Sequence, residues 1–116
     1  GYGTVDRPIG VVAAGERWPD GALRPCVEDL LGAAAVLNGL TLAPGELSLE
    51  AATTLAVLST VTDVSAAVRG SVSGRELAAR GFQFDVDIAA ERDVSSEVPV
   101  LRSGAFAGGQ HPVVRS

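Results

Sequence analysis

The sequence predicts an α/β domain, with helices packed on a small sheet. Three observations predict it. The chain is 116 residues long, 47% hydrophobic and 20% charged, the size and composition of one folded domain. A short continuous apolar run, Ile9 to Ala14, leads into a charged loop and then a helical pattern from about Val27, the order in which open α/β proteins place their ligands. Beyond it, Ala- and Leu-rich segments at helical spacing alternate with Gly, Pro and Ser breaks. Aromatic residues are only 4%, so Ala, Val and Leu must build the core.

Residues 1–8 show no periodicity. Ile9 to Ala14 reads as a buried strand, which needs neighbours. Arg24-Pro25 marks a boundary, because the residue before a proline avoids the helical region while proline suits a first helical turn. Val27, Leu30, Leu31, Ala34 and Leu37 then recur at helical spacing up to a stop at Asn38-Gly39. Gly32 with Ala33, Ala34 and Ala35 offers one face to close approach. Residues 41–47 form a loop around Pro44-Gly45, and Ser48 caps a second helix from Leu49 to about Ser59. Residues 60–70 are ambiguous: Val61, Val64 and Val68 have helical spacing, but β-branched content opposes it. Residues 71–80 read as a short helix capped by Ser73 and closed by Gly81. Residues 82–91 read as another, with Phe82, Val86 and Ala89/Ala90 inward and Asp85, Asp87 and Glu91 on a solvated face. Val98 to Leu101 is a short strand or extended segment, and residues 107–116 are expected to form a flexible tail. Two strands make a poor sheet, so partner strands are expected upstream of Gly1.

The nine basic residues are all Arg, and the net charge is −5. That balance argues against a nucleic-acid partner, which needs a basic surface, but not against a small anion held by local arginines. One Cys excludes an internal disulfide framework and a Cys-based zinc site, and suits a reducing, cytoplasmic setting. No apolar run approaches the roughly 20 residues that span a bilayer, so no membrane partner is expected.

The stretch from Ala14 to Asp29 concentrates the chemistry: the only Trp, the only Cys, Arg17, Arg24 and four carboxylates. Its string Gly15-Glu16-Arg17-Trp18-Pro19-Asp20-Gly21, followed by Leu23-Arg24-Pro25 and Glu28-Asp29-Leu30-Leu31-Gly32-Ala33, resembles the 2-phosphosulfolactate phosphatase (ComB) family. Ser73-Gly74-Arg75-Glu76-Leu77, Arg80-Gly81-Phe82, Asp85-Val86, Asp93-Val94-Ser95, Val98-Pro99-Val100-Leu101 and Gly104-Ala105-Phe106 continue the resemblance in family order. Members are about twice this length, and their N-terminal Asp-Val-Leu-Arg-Ala-type and Ser-Pro-Asn-Gly-type segments do not occur here. Residues 1–116 are therefore expected to be the C-terminal portion of such an enzyme.

The resemblance implies Mg²⁺-dependent hydrolysis of 2-phosphosulfolactate to sulfolactate and phosphate. A substrate with phosphate, sulfonate and carboxylate groups needs several paired cations. Arg17 and Arg24, across the Pro19-Asp20-Gly21 turn, are the first candidates to bind it. Arg75 and Ser73, at a helix start with free amides, come next. Mg²⁺ takes one or two carboxylates, and the expected ligands are Glu28 and Asp29, with Glu16 after them. Asp20, with Glu16, is the expected acid/base group.

Plainer readings stand beside each of these. Glu28-Asp29 suits the positive end of a helix dipole, Arg17 and Arg24 suit surface pairs with Glu16 and Asp20, Trp18 suits a packing lid, and Ser73 suits a cap. Cys26 sits where a helix N-terminus lowers a thiol pKa, but the Cys-x5-Arg phosphatase signature is absent, with Leu31 in the Arg position. His111 is expected to be inert. Two alternatives remain open. One is a non-catalytic fragment that associates with a missing N-terminal half or with another subunit. The other is a phosphatase of the same fold acting on another small phosphorylated acid.

Overall fold

A computed structural model describes residues 8–40, 42–43 and 45–110. Within them lie five helices and two small antiparallel sheets, a small α/β fold. A two-residue ribbon, β1 (Glu16–Arg17) and β2 (Leu23–Arg24), precedes helices α1 (Val27–Gly39), α2 (Leu49–Ser59), α3 (Val64–Gly70), α4 (Val72–Ala79) and α5 (Gln83–Ala89). A hairpin of β3 (Glu97–Arg102) and β4 (Ala105–Gln110) follows.

The helices begin and end where short-range chemistry puts them. Ser48 Oγ accepts the Ala51 N–H at 3.2 Å and starts α2, as its sequence predicts. Asp63 Oδ1 accepts the Ala66 N–H at 2.9 Å, and this cap resolves the ambiguous residues 60–70 into a turn followed by α3. The cap of α4 is Ser71, not Ser73: its Oγ accepts the Gly74 N–H at 3.0 Å. α3 ends at Gly70, so a single residue joins the two helices and has to cap the second. The joint is tight as well as short. A Cβ on Gly74 would run into the Val68 carbonyl oxygen and stand 2.9 Å from that of Arg69.

The core is small. α1 contributes Leu31, Ala34 and Leu37, the inward stripe its spacing predicts, and Leu31 is 1% exposed. Val86 and Ala90, at the end of α5, and Cys26 complete the buried apolar set. α1 packs on α2, α4 packs on α5, and α3 touches α1, α4 and α5. The small-residue face of α1 allows close approach, and Ala34 is wholly buried. The Cα radius of gyration is 15.9 Å, against about 13 Å for a compact chain of this size.

Three expectations need correction. Ile9 to Ala14 forms no strand. It runs beside α1 and α2 with Val12 88% exposed, and among the described residues no strand takes its backbone hydrogen bonds. Phe82 precedes α5 and is half-exposed, while Ala89 faces out and Val86 and Ala90 alone turn inward. Residues 107–110, placed in the tail, belong to β4; residues 111–116, including His111, lie outside the described residues. Asp87 stays partly solvated, as expected, and its Oδ1 accepts a hydrogen bond from Arg69 Nε at 2.9 Å, tying α5 to α3. Among the described residues no single helix is long and apolar enough to cross a membrane.

Candidate functional site

The charged stretch folds back on itself. Pro19 and Asp20 sit at the corners of a turn closed by the Gly21 N–H donating to the Trp18 carbonyl at 2.8 Å, and Gly21 takes φ 86°, a value that favours glycine. Asp20 Oδ1 accepts the Ala22 N–H at 2.9 Å, so this carboxylate holds the turn. Arg17 donates to the Gly21 carbonyl at 2.8 Å and stays exposed at the ribbon tip.

Arg24 ties the ribbon to the helical body. Its guanidinium lies 3.2 Å from Glu16 Oε2 and 2.9 Å from Glu76 Oε2, and stacks over Trp18 at 4.8 Å from the ring centroid. The side chain is 15% exposed. The Glu76 hydrogen bond, reinforced by both carboxylate charges, holds its pKa above the ordinary arginine value despite partial burial. Trp18 thus covers Arg24, the lid role its sequence position suggested. Arg75, the third expected anion ligand, donates instead to the Gly70 carbonyl. The three arginines therefore do not converge: each is engaged by a different partner.

Two adjacent carboxylates separate in the same way. Neighbouring helix residues point about 100° apart, so Glu28 and Asp29 take different partners although both border one cleft. Asp29 Oδ2 accepts the Gly15 N–H at 2.7 Å and fastens the start of the ribbon to the first turn of α1. Glu28 turns toward Glu16 and Cys26, and one carboxylate oxygen from each Glu and the Cys26 Sγ lie within 4.8 Å of one another. Burial works against the Glu28 charge. Hydrogen bonding, from Ser73 first and also from its own backbone amide and Ser71, outweighs burial, and its pKa falls below the ordinary 4.5. Burial pushes the Cys26 thiol above the ordinary 9.0 and the surrounding carboxylates add to the rise, while Ser73 opposes it. Cys26 is therefore a thiol at neutral pH, donating to the Arg24 carbonyl at 3.5 Å. Its place before α1 does not make it a thiolate nucleophile.

Glu28 also borders a cleft of about 200 Å³ between α1, α3, α4 and α5. Asp29, Ser71 and Ser73 complete its polar wall, and Val68, Leu77 and Val86 form the apolar side. That volume is below the ~300–1,000 Å³ of pockets for drug-sized ligands, and suits a smaller molecule. Ser73 is buried with its Oγ 4.0 Å from Cys26 Sγ, so it faces the acidic cluster as well as the cleft. Among the described residues no arginine lines the cleft. Glu76 and Ser71 belong to this arrangement and escape the sequence reading. Glu76 is 52 positions from Arg24, and Ser71 was hidden by a second plausible cap two residues on.

The arrangement can hold a small hard cation between Glu16 and Glu28, with hydroxyl donors beside it. Two carboxylates and water suit Mg²⁺, and the protonated thiol of Cys26 adds nothing to such an ion. The family model of 2-phosphosulpholactate phosphatase matches residues 4–104 of the chain. No curated protein and no solved structure matches it.

Proposed function

Since the chain belongs to the 2-phosphosulpholactate phosphatase family, we propose that it hydrolyses the phosphate ester of 2-phosphosulfolactate to sulfolactate and phosphate in a Mg²⁺-dependent reaction. The observation that carries this reading is the double position of Glu28, which belongs both to the Glu16–Cys26–Glu28 group and to the wall of the cleft. Glu28 and Glu16 would hold Mg²⁺, which when bound neutralises phosphate charge and orients water. Ser73 and Ser71 offer hydroxyls to the substrate oxygens from the same polar wall. Asp29, with Oδ2 occupied by Gly15, offers Oδ1 to accept a proton from the attacking water. Water adds to phosphorus, the ester oxygen leaves, and that oxygen gains a proton to become the hydroxyl of sulfolactate. Arg24 is a positioning residue here, because it holds Glu16 from one side while Glu76 and Trp18 hold it from the others. A reducing, cytoplasmic setting goes with this reading.

Phosphate release from 2-phosphosulfolactate, with Mg²⁺ and with EDTA, tests the proposal. Mg²⁺-dependent release is expected, with a loss of about 10²–10³-fold in Glu28→Gln, the scale of one lost electrostatic stabiliser. Release that is indifferent to EDTA and to Glu28→Gln would overturn it. A panel of other small phosphorylated acids distinguishes the named substrate from a relative of it.

A second reading rests on the absence of arginine from the cleft lining. The sulfonate and carboxylate of the substrate also need cations, and a second polypeptide would then supply them. On this reading the chain alone releases no phosphate, yet Glu28→Gln still weakens Mg²⁺ binding measured by titration calorimetry.

A further inference from the structure

The β3–β4 hairpin stands apart from the helical body, with neither strand forming a packed face against a helix. Every described side chain from Glu97 to Gly108 is exposed. Its two edges are chemically different. Ser103 at φ 50° and Gly104 at φ 83° make the two-residue turn whose twist matches a hairpin, so Arg102 and Ala105 form the closing hydrogen-bonded pair. Pairs alternate down an antiparallel ladder, which makes Leu101↔Phe106, Pro99↔Gly108 and Glu97↔Gln110 the non-hydrogen-bonded ones. The backbone groups of those residues point outward. β3 therefore presents Glu97, Pro99 and Leu101 along its outer edge, with no donor at the middle position. β4 presents Phe106, Gly108 and Gln110, a complete row.

β4 also lacks the features that protect an exposed edge. It has no charge and no proline in six residues. Both faces of the hairpin are apolar: Val98 and Val100 lie on one, Leu101 and Phe106 on the other. Such a two-faced strand pair is built to sit inside a larger sheet.

We propose that β4 pairs antiparallel with β4 of a second copy of this chain, about a two-fold axis, in the four-stranded order β3–β4–β4–β3. Charge favours this occupant. An uncharged strand pairs with itself without placing like charges opposite, and Glu97 and Arg102 stay on the outer strands. Pro99 then lies on both outer edges and stops further addition, so pairing closes at two copies and does not grow into a fibre. Residues 97–110 are fewer than the ~20–30 a side of a standard interface, so the dimer is weak, with a Kd on the order of 10 μM.

Analytical ultracentrifugation of the full chain across that concentration range tests the proposal. The mass is expected to rise from 11.8 kDa to twice that value. Gly108→Pro removes the central outward donor of β4 while leaving the hairpin's own hydrogen bonds. Only the mobile end of Glu97 stands where its Cβ would go. Phe106→Lys places a charge on the same strand. Each is expected to weaken the dimer about tenfold or more, with an unchanged far-ultraviolet circular dichroism spectrum. Pro99→Val restores the missing donor on β3 and is expected to carry assembly beyond the dimer. A monomeric mass throughout the range, or a dimer as tight in Gly108→Pro and Phe106→Lys as in the parent, would overturn the proposal.

Discussion

The junction of the ribbon with α1 and α4 and the β3–β4 hairpin are opposite solutions to the same problem. The junction carries most of the charges of its region, and its polar groups find partners within the chain: Arg24 with Glu16 and Glu76, Asp29 with Gly15, Ser71 with Gly74. The hairpin carries exposed Val98, Leu101 and Phe106, and among the described residues its strands pair only with each other. Polar groups brought out of water must be satisfied at once, so the junction is self-contained. Apolar surface can wait for another surface, so the hairpin is where association is inexpensive.

The largest expected effect separates the two regions by stability. Leu31→Ala empties the most buried large side chain and is expected to cost about 3–5 kcal/mol. Leu101→Ala, more than half exposed, is expected to cost the monomer less than about 1 kcal/mol. Chemical denaturation followed by circular dichroism measures both, and comparable losses would mean that the hairpin belongs to the helical core.

Next in size is Gly74→Ala. The added methyl meets the Val68 carbonyl across the α3–α4 joint, and a loss of about 1–3 kcal/mol is expected by the same measurement. Asp29→Ala removes a charged acceptor from the Gly15 amide. It is expected to cost about 1–2 kcal/mol, and faster exchange of the Gly15 amide hydrogen in NMR would report it directly.

The smallest effect is a pH dependence. Glu28 has a folded pKa below 4.5, so its charge stabilises the fold above that pH and the contribution is lost as pH falls through the folded value. Thermal melts of the parent and Glu28→Gln are expected to differ at pH 7 and to converge as pH drops below 4.5. A gap that stays constant would remove the hydrogen-bonded carboxylate from the account of the junction.

Much of this was legible in the residues. α1 and α2 follow from spacing and from Ser48, and the strand around Val98 from its β-branched run. Glu16, Cys26 and Glu28 all fall within the stretch that composition singled out. Ile9 to Ala14 misled because an apolar run marks burial against something, and only a neighbouring strand turns it into a strand. Glu28 and Asp29 take different partners, Glu16 and the Gly15 amide, because adjacency in sequence is divergence on a helix, although both border the cleft.

What the sequence by itself determined is local: where α1 and α2 begin and end, which face of α1 is apolar, and that Pro19-Asp20-Gly21 turns. Each depends on atoms within a few residues, whose geometry the side chain itself dictates. Only the tertiary structure decided that Arg24 meets Glu76, that Ser73 faces Cys26 rather than capping its helix, and that Glu28 meets Glu16 while also bordering the cleft. Those contacts span 12 to 52 positions and exist because α1, α3, α4 and α5 pack in one arrangement, which no pairwise pattern in the chain spells out.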